Sequence, residues 1–193
     1  ALAVFENHKI SIEQMQITAE KIDSLEEKAD DAVMLLLDLA DHRLAETKLQ
    51  RAISLSEQLE TQFNSMVSSA FEYRDTLSTN TAELIESELS FSITESKKSL
   101  SDIISELESN NIDSVAEEVT EAFTEIEELL STSNGIIYHK RSQLNANQQA
   151  TDSLAAEEKA AEQVNLILAK QVELANQTTI AASKEVDDSV SSG

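Results

Sequence analysis

From Ile10 to Leu77 the chain runs without a proline or a glycine, and its apolar residues recur in steps of three and four. Ile12, Met15, Ala19, Ile22, Leu25, Ala29, Val33, Leu36 and Ala40 begin the stripe, and Leu49, Ala52, Leu59, Phe63, Met66, Ala70, Tyr73 and Leu77 continue it. That period marks the buried face of an α-helix, and its persistence predicts a coiled-coil-like seam. At about 1.5 Å per residue one unbroken helix here would reach roughly 100 Å, which predicts a rod. Between Ala40 and Ala52 the register slips, with Leu44 and Leu49 following in longer steps beside the polar cluster Asp41-His42-Arg43. Such a stutter reads either as a helix break or as a junction between two packing modules.

The rest of the composition agrees with a helical chain. Proline is absent and glycine occurs only at Gly135 and Gly193, so tight turns are scarce while helix formers are everywhere. Aromatics make up 4 % and tryptophan is missing, which predicts a thin aliphatic core suited to helices packed side by side. The net charge of −23 and the scattering of Lys and Arg exclude nucleic acid as a natural partner and disfavour an anionic membrane surface. With no cysteine there are no disulfides, thiolate zinc sites or thiol nucleophiles. No stretch reaches the 18 to 20 apolar residues of a spanning helix. The apolar start Ala1-Leu2-Ala3-Val4-Phe5 reads either as the last turn of a transmembrane helix or as a frayed end.

Three stops follow the first helix. Ser78-Thr79-Asn80-Thr81 ends it, with Thr79 or Asn80 able to cap the next and Glu83 at capping-box spacing from Asn80. The second helix carries Leu84, Ile85, Leu89, Ile93, Leu100, Ile103 and Leu107 and ends at Ser109-Asn110-Asn111. Asp113 and Ser114 are candidate caps for a third helix, whose stripe is Val115, Val119, Phe123, Ile126 and Leu130. Asn134-Gly135 predicts a stop with positive φ. The final helix then runs through Ile137, Leu144, Leu154, Ala161, Leu168, Val172, Ala175 and Val186.

Short loops make neighbours antiparallel, so the expected fold is all-α: an elongated antiparallel helical bundle. Residues 43–151 are expected to form a distal four-helix bundle. Residues 1–42 and 152–193 pair as a two-helix, membrane-proximal stalk. A two-helix stalk buries little alone, so a parallel homodimer is expected to complete a second four-helix bundle from two stalks. In that drawing the third helix is shorter than the second without a reason.

This architecture, acidic and cysteine-free with an apolar start, resembles the periplasmic all-helical sensor domains of bacterial chemoreceptors and histidine kinases. These include helical bimodular domains and the sensor of the trimethylamine-oxide kinase. The resemblance is one of architecture over the whole chain, and it transfers no site residues. It implies an extracytoplasmic signal-input domain in an inner-membrane protein, held by flanking membrane helices outside this sequence. Its partner would be a small organic anion or a periplasmic binding protein. The alternative is a structural coiled-coil rod or adaptor scaffold without a ligand.

Candidate ligand-binding residues lie where the expected first and third turns share one end of the distal bundle: Tyr73 and Arg74, with Tyr138, His139 and Arg141 and, between the last two, Lys140. Arg141 falls on the seam Ile137, Arg141, Leu144, Gln148, Thr151, where a cation is costly unless paired. It could hold a carboxylate ligand bidentately, pair with an internal Glu, or snorkel to water. His42 and Arg43, at the stutter, are a second candidate or a device fixing register. The three histidines are too far apart to share a face, no Glu-x-x-His pattern occurs, and no catalytic, metal or cofactor motif is present.

Overall fold

The computed structural model describes Ala1–Gly193, and it is all-helical. Its elements are α1 (Leu2–Leu37), a 3-10 turn (Asp38–Asp41), α2 (Gln50–Asp75), α3 (Thr79–Ser109), α4 (Asp113–Leu130) and α5 (Ile136–Ser191). They form two compact units: His8–Asn147, and Ala1–Asn7 together with Gln148–Gly193. The division drawn from the sequence at residue 42 does not coincide with a boundary between these units, because α1 from His8 onward packs within the larger one.

The helix expected to run unbroken from Ile10 to Leu77 is instead two helices. At Asp38 the chain tightens into the 3-10 turn and then a run of turns, and α2 comes back antiparallel to α1. Met15 and Ala19 of α1 therefore line one cleft with Arg74 and Asp75 at the end of α2. The stutter was the break. No Gly or Pro is needed, because Leu39, Ala45 and Leu49 in the connection are buried. Folding back brings the stripes of α1 and α2 into one shared core, and this tertiary gain outweighs helix propensity.

α2 and α3 run antiparallel, tied along their length by Arg51 to Asp102, Ser96 to Gln62 and Tyr73 to Glu86. Lys97 of α3 pairs with Glu127 of α4, and Arg141 of α5 pairs with Glu86 near the start of α3. The two pairs fit a single descending register, so α4 and the first turns of α5 together span α3 as one interrupted helix. This explains why α4 is short. The larger unit is thus a helical bundle of α1, α2, α3 and this broken fourth member. The bundle expected from the sequence held the second half of a continuous first helix, the second and third helices and the start of the last, with the third and last antiparallel, whereas α4 and α5 run the same way along α3. Its core is aliphatic around one aromatic pair, Phe63 and Phe123, with ring centroids 6.1 Å apart.

The caps follow local chemistry. Ser78, one residue before the expected Thr79, is the N-cap of α3 and accepts from the Thr81 N–H at 3.3 Å. α3 ends with Asn111 at φ 58°, the Asn111 N–H donating to Glu108 and the Ile112 N–H to Leu107. That is a Schellman ending with Asn in the left-handed position. Ile112, not Asp113 or Ser114, precedes α4 as its N-cap residue, and Asp113 favours the first turn electrostatically.

Gly135 does not have the positive φ expected of it. Glycine is required there by close approach: a Cβ would stand 2.4 Å from the Ser131 nitrogen and 2.6 Å from the Leu129 oxygen, both backbone atoms that cannot swing away. Gly135→Ala is therefore expected to destabilise the bundle by about 1–3 kcal/mol through a forced backbone shift. Urea denaturation followed by circular dichroism checks it, and an unchanged midpoint contradicts the tight joint.

In the smaller unit the Ala1 amino group pairs with Glu157. From Thr151 onward no residue of α5 is buried, although Leu154, Leu166, Ile167, Leu168, Val172 and Leu174 lie on it. No helix is long and apolar enough to cross a membrane.

Candidate functional site

One end of the bundle, its foot, gathers polar side chains from four helices. The short connections at residues 76–78 and 131–135 bring the last turn of α2, the early turns of α3 and the first turns of α5 together. α1 reaches the same level at Gln14. Tyr73, Arg74, Tyr138, His139 and Arg141, proposed from sequence, all lie here.

Glu86 is the hub. The buried Tyr73 hydroxyl donates to its Oε1 at 2.6 Å, and the Arg141 guanidinium grips it with Nε at 3.1 Å from both oxygens and Nη2 at 2.7 Å from Oε2. Burial alone would raise the Glu86 carboxyl, but the hydrogen bonds from Arg141 and Tyr73 and the Arg141 charge leave it below its ordinary value. The Tyr73 phenol is pushed up, first by burial and then by Glu86. Arg141 itself is 56 % exposed, so it lies off the seam on which the sequence reading placed it. Of the three fates considered for it, the geometry is that of the internal ion pair.

The buried cation is its neighbour. Lys140 is fully buried, with Nζ donating to the Arg74 carbonyl at 2.7 Å and to Gln143 Oε1 at 3.2 Å. Desolvation lowers its pKa to about 8, against a weaker upward pull from Asp75. Sequence reasoning named Lys140 only as a neighbour of Arg141, and missed Gln143 and Glu86. The signal was present: a stripe begun at Ile136 instead of Ile137 runs through Lys140, Gln143 and Ala150, all buried.

Arg74 turns its guanidinium outward, with Nε 2.9 Å from Asp75 Oδ1 and the charge 5.0 Å over the Phe71 ring. Beside it lies a largely apolar cleft of about 420 Å³ lined by Met15, Ala19, Arg74, Asp75, Leu77 and Gln143. His139 Nδ1 lies 2.6 Å from Gln14 Oε1, and its ring meets Tyr138 edge-on at 5.0 Å. Burial, then the charge of Lys21, lowers the His139 pKa. Ser11 Oγ donates to Asn147 Oδ1 at 2.6 Å, so α1 and α5 are tied by two polar contacts in succession.

His42 and Arg43 do not join this group. They sit in the α1–α2 connection at the other end of α2, where His42 Nδ1 accepts from the Leu44 N–H at 3.1 Å and shapes a local turn.

The foot is chemically a self-satisfied polar layer: no buried side-chain nitrogen or oxygen lacks a partner. What it can do is exchange partners, since a carboxylate entering from solvent competes with Glu86 for Arg141 or with Asp75 for Arg74. Glu86→Ala leaves the buried Tyr73 hydroxyl without an acceptor and is expected to cost about 1–3 kcal/mol. Arg141→Ala removes only an exposed partner and is expected to cost about 0.2–1 kcal/mol. Urea midpoints of the two variants in parallel check this, and equal losses contradict Glu86 as the hub. No family model, curated protein or solved structure matches this chain.

Proposed function

We propose that the chain is the signal-input region of a homodimeric transmembrane receptor, working outside the cytoplasm, in the periplasm. The observation that supports this best is the foot, where polar side chains of α1, α2, α3 and α5 exchange hydrogen bonds and charges. A small organic anion, or a periplasmic binding protein presenting a carboxylate, displaces Glu86 or Asp75 from its arginine. The partners then rearrange, and α1 shifts against α5 by about 1–2 Å, a displacement that helices continuing into a membrane can carry. The exposed apolar residues of α5 support pairing of two copies in parallel, completing a second four-helix bundle from the stalk segments.

The test uses spin labels at the exposed positions Lys9 and Asn145, read with and without dicarboxylates from oxalate to glutarate. A change of about 1–2 Å with one of these, lost in Arg74→Gln, is the expected result. Constant spacing across the series refutes sensing of such anions. The second reading, a scaffold without a ligand, draws on the Arg141–Glu86 grip, which already fills the arginine fork.

A further inference from the structure

A second cleft, of about 550 Å³, opens between the middle of α1 and the end of α4 with the connection that follows it. Its volume is within the ordinary range for small-molecule sites. Two lysines and two glutamates line it. Lys28 Nζ and Glu125 Oε2 are 3.0 Å apart and neutralise each other. Lys21 and Glu128 have no ion pair and no side-chain hydrogen bond, so each presents an unanswered charge to the same space. Between them stand hydrogen-bonding groups, Ser133 among them, and the half-buried Leu129.

The charge layout selects the ligand. A free anion would find Lys21 but would also meet Glu128, within a chain of net charge −23. A free cation would find Glu128 but would meet the unpaired Lys21. A molecule carrying both charges satisfies Lys21 and Glu128 together, and being neutral overall it has no long-range repulsion to overcome. We infer that this cleft binds a small zwitterion, an ammonium and a carboxylate joined by a short carbon chain, with the carboxylate on Lys21 and the ammonium on Glu128. The carbon chain lies against Leu129, and the serine hydroxyls take the remaining carboxylate lone pairs. The inference rests on this cleft alone and does not require the receptor reading.

The probe is a series of increasing charge separation: glycine, β-alanine, γ-aminobutyrate and 6-aminohexanoate. Acetate and methylammonium serve as single-charge controls. Each is titrated into the full chain while the backbone amide resonances of residues 131–135 are followed by NMR. One zwitterion is expected to saturate these shifts with a Kd below about 5 mM, both controls giving no saturation by about 20 mM. Lys21→Gln and Glu128→Gln are each expected to weaken it at least about tenfold, without altering the unfolding midpoint. The inference is overturned if no member of the series saturates, if acetate or methylammonium does as well as the best zwitterion, or if either substitution leaves the affinity unchanged.

Discussion

Between pH 8 and pH 10 the protein is expected to become more stable, and Lys140→Met is expected to remove that gain. The reason is the burial of an ammonium group whose only direct partners are neutral, the Arg74 carbonyl and Gln143. In the folded chain Lys140 titrates at about 8, against 10.5 as its ordinary value. From the lower value to the higher the unfolded chain holds a proton that the folded chain has released, so stability rises with pH. Below pH 8 both states are protonated and the full penalty of the buried charge is present. The whole interval corresponds to about 3 kcal/mol, most of it realised by pH 10. Tyr73 acts in the opposite sense, since the unfolded phenol releases its proton near 10 while the folded one keeps it, but that loss begins only at the top of this window. His139, lowered by burial, has already released its proton. Methionine keeps the length of the stem and needs no charge, and replacing buried ions by apolar groups of similar volume is often neutral or stabilising. Urea midpoints of the two proteins at half-unit steps of pH should converge towards pH 10. Parallel curves would show that Lys140 is solvated in the folded state.

Lys140 also shows where the sequence could be read and where it could not. Helix content and most helix ends were legible, because Ser78, Asn110-Asn111 and Asn134-Gly135 are local signals whose chemistry acts within a few residues. The register within α5 was not, because Ile136 and Ile137 are both buried and a stripe may start from either. One choice puts Arg141 inside and the other puts Lys140 there. Only the packing of α5 against the end of α2 decides between them. The fold-back after Leu37 was visible as a slip in period, yet its meaning was ambiguous. A stutter in one long helix and a connection between two helices leave the same spacing of Leu39, Leu44 and Leu49. What resolves it is placement by residues distant in sequence, Met15 and Ala19 of α1 lying beside Arg74 and Asp75 of α2. The gathering of Tyr73, Arg74, His139 and Arg141 was legible although its cause was not: the 131–135 connection interrupts the fourth member part-way along α3, and the first turns of α5 run on from it to the end of α2. Glu86 was lost among 37 acidic residues, since nothing local marks the one that is half enclosed.

Phe63→Ala is expected to be the most damaging single truncation, costing about 3–5 kcal/mol. Phe63 on α2 and Phe123 on α4 are 2 % and 3 % exposed, and their rings meet 6.1 Å apart at 32°, so the contact joins α2 to α4 inside the core. Removing one ring opens space that no flanking helix can close without breaking its own contacts, which places the loss in the transfer-plus-cavity regime. The ring pair adds about 0.5–1.5 kcal/mol beyond its area. A bundle of this size has about 5–15 kcal/mol in total, so roughly a fifth or more of its stability depends on this site. Phe91, 67 % exposed on α3, is the control, and Phe91→Ala should stay within about 0.5 kcal/mol of the parent. In Phe63→Ala/Phe123→Ala the second truncation should cost less than it does alone, since the pair is already broken. Urea unfolding of the parent, Phe63→Ala, Phe123→Ala, the double variant and Phe91→Ala measures all of this. A loss below about 1.5 kcal/mol for Phe63→Ala would mean that α4 does not close the bundle over α2, and the interrupted fourth helix would have to be abandoned.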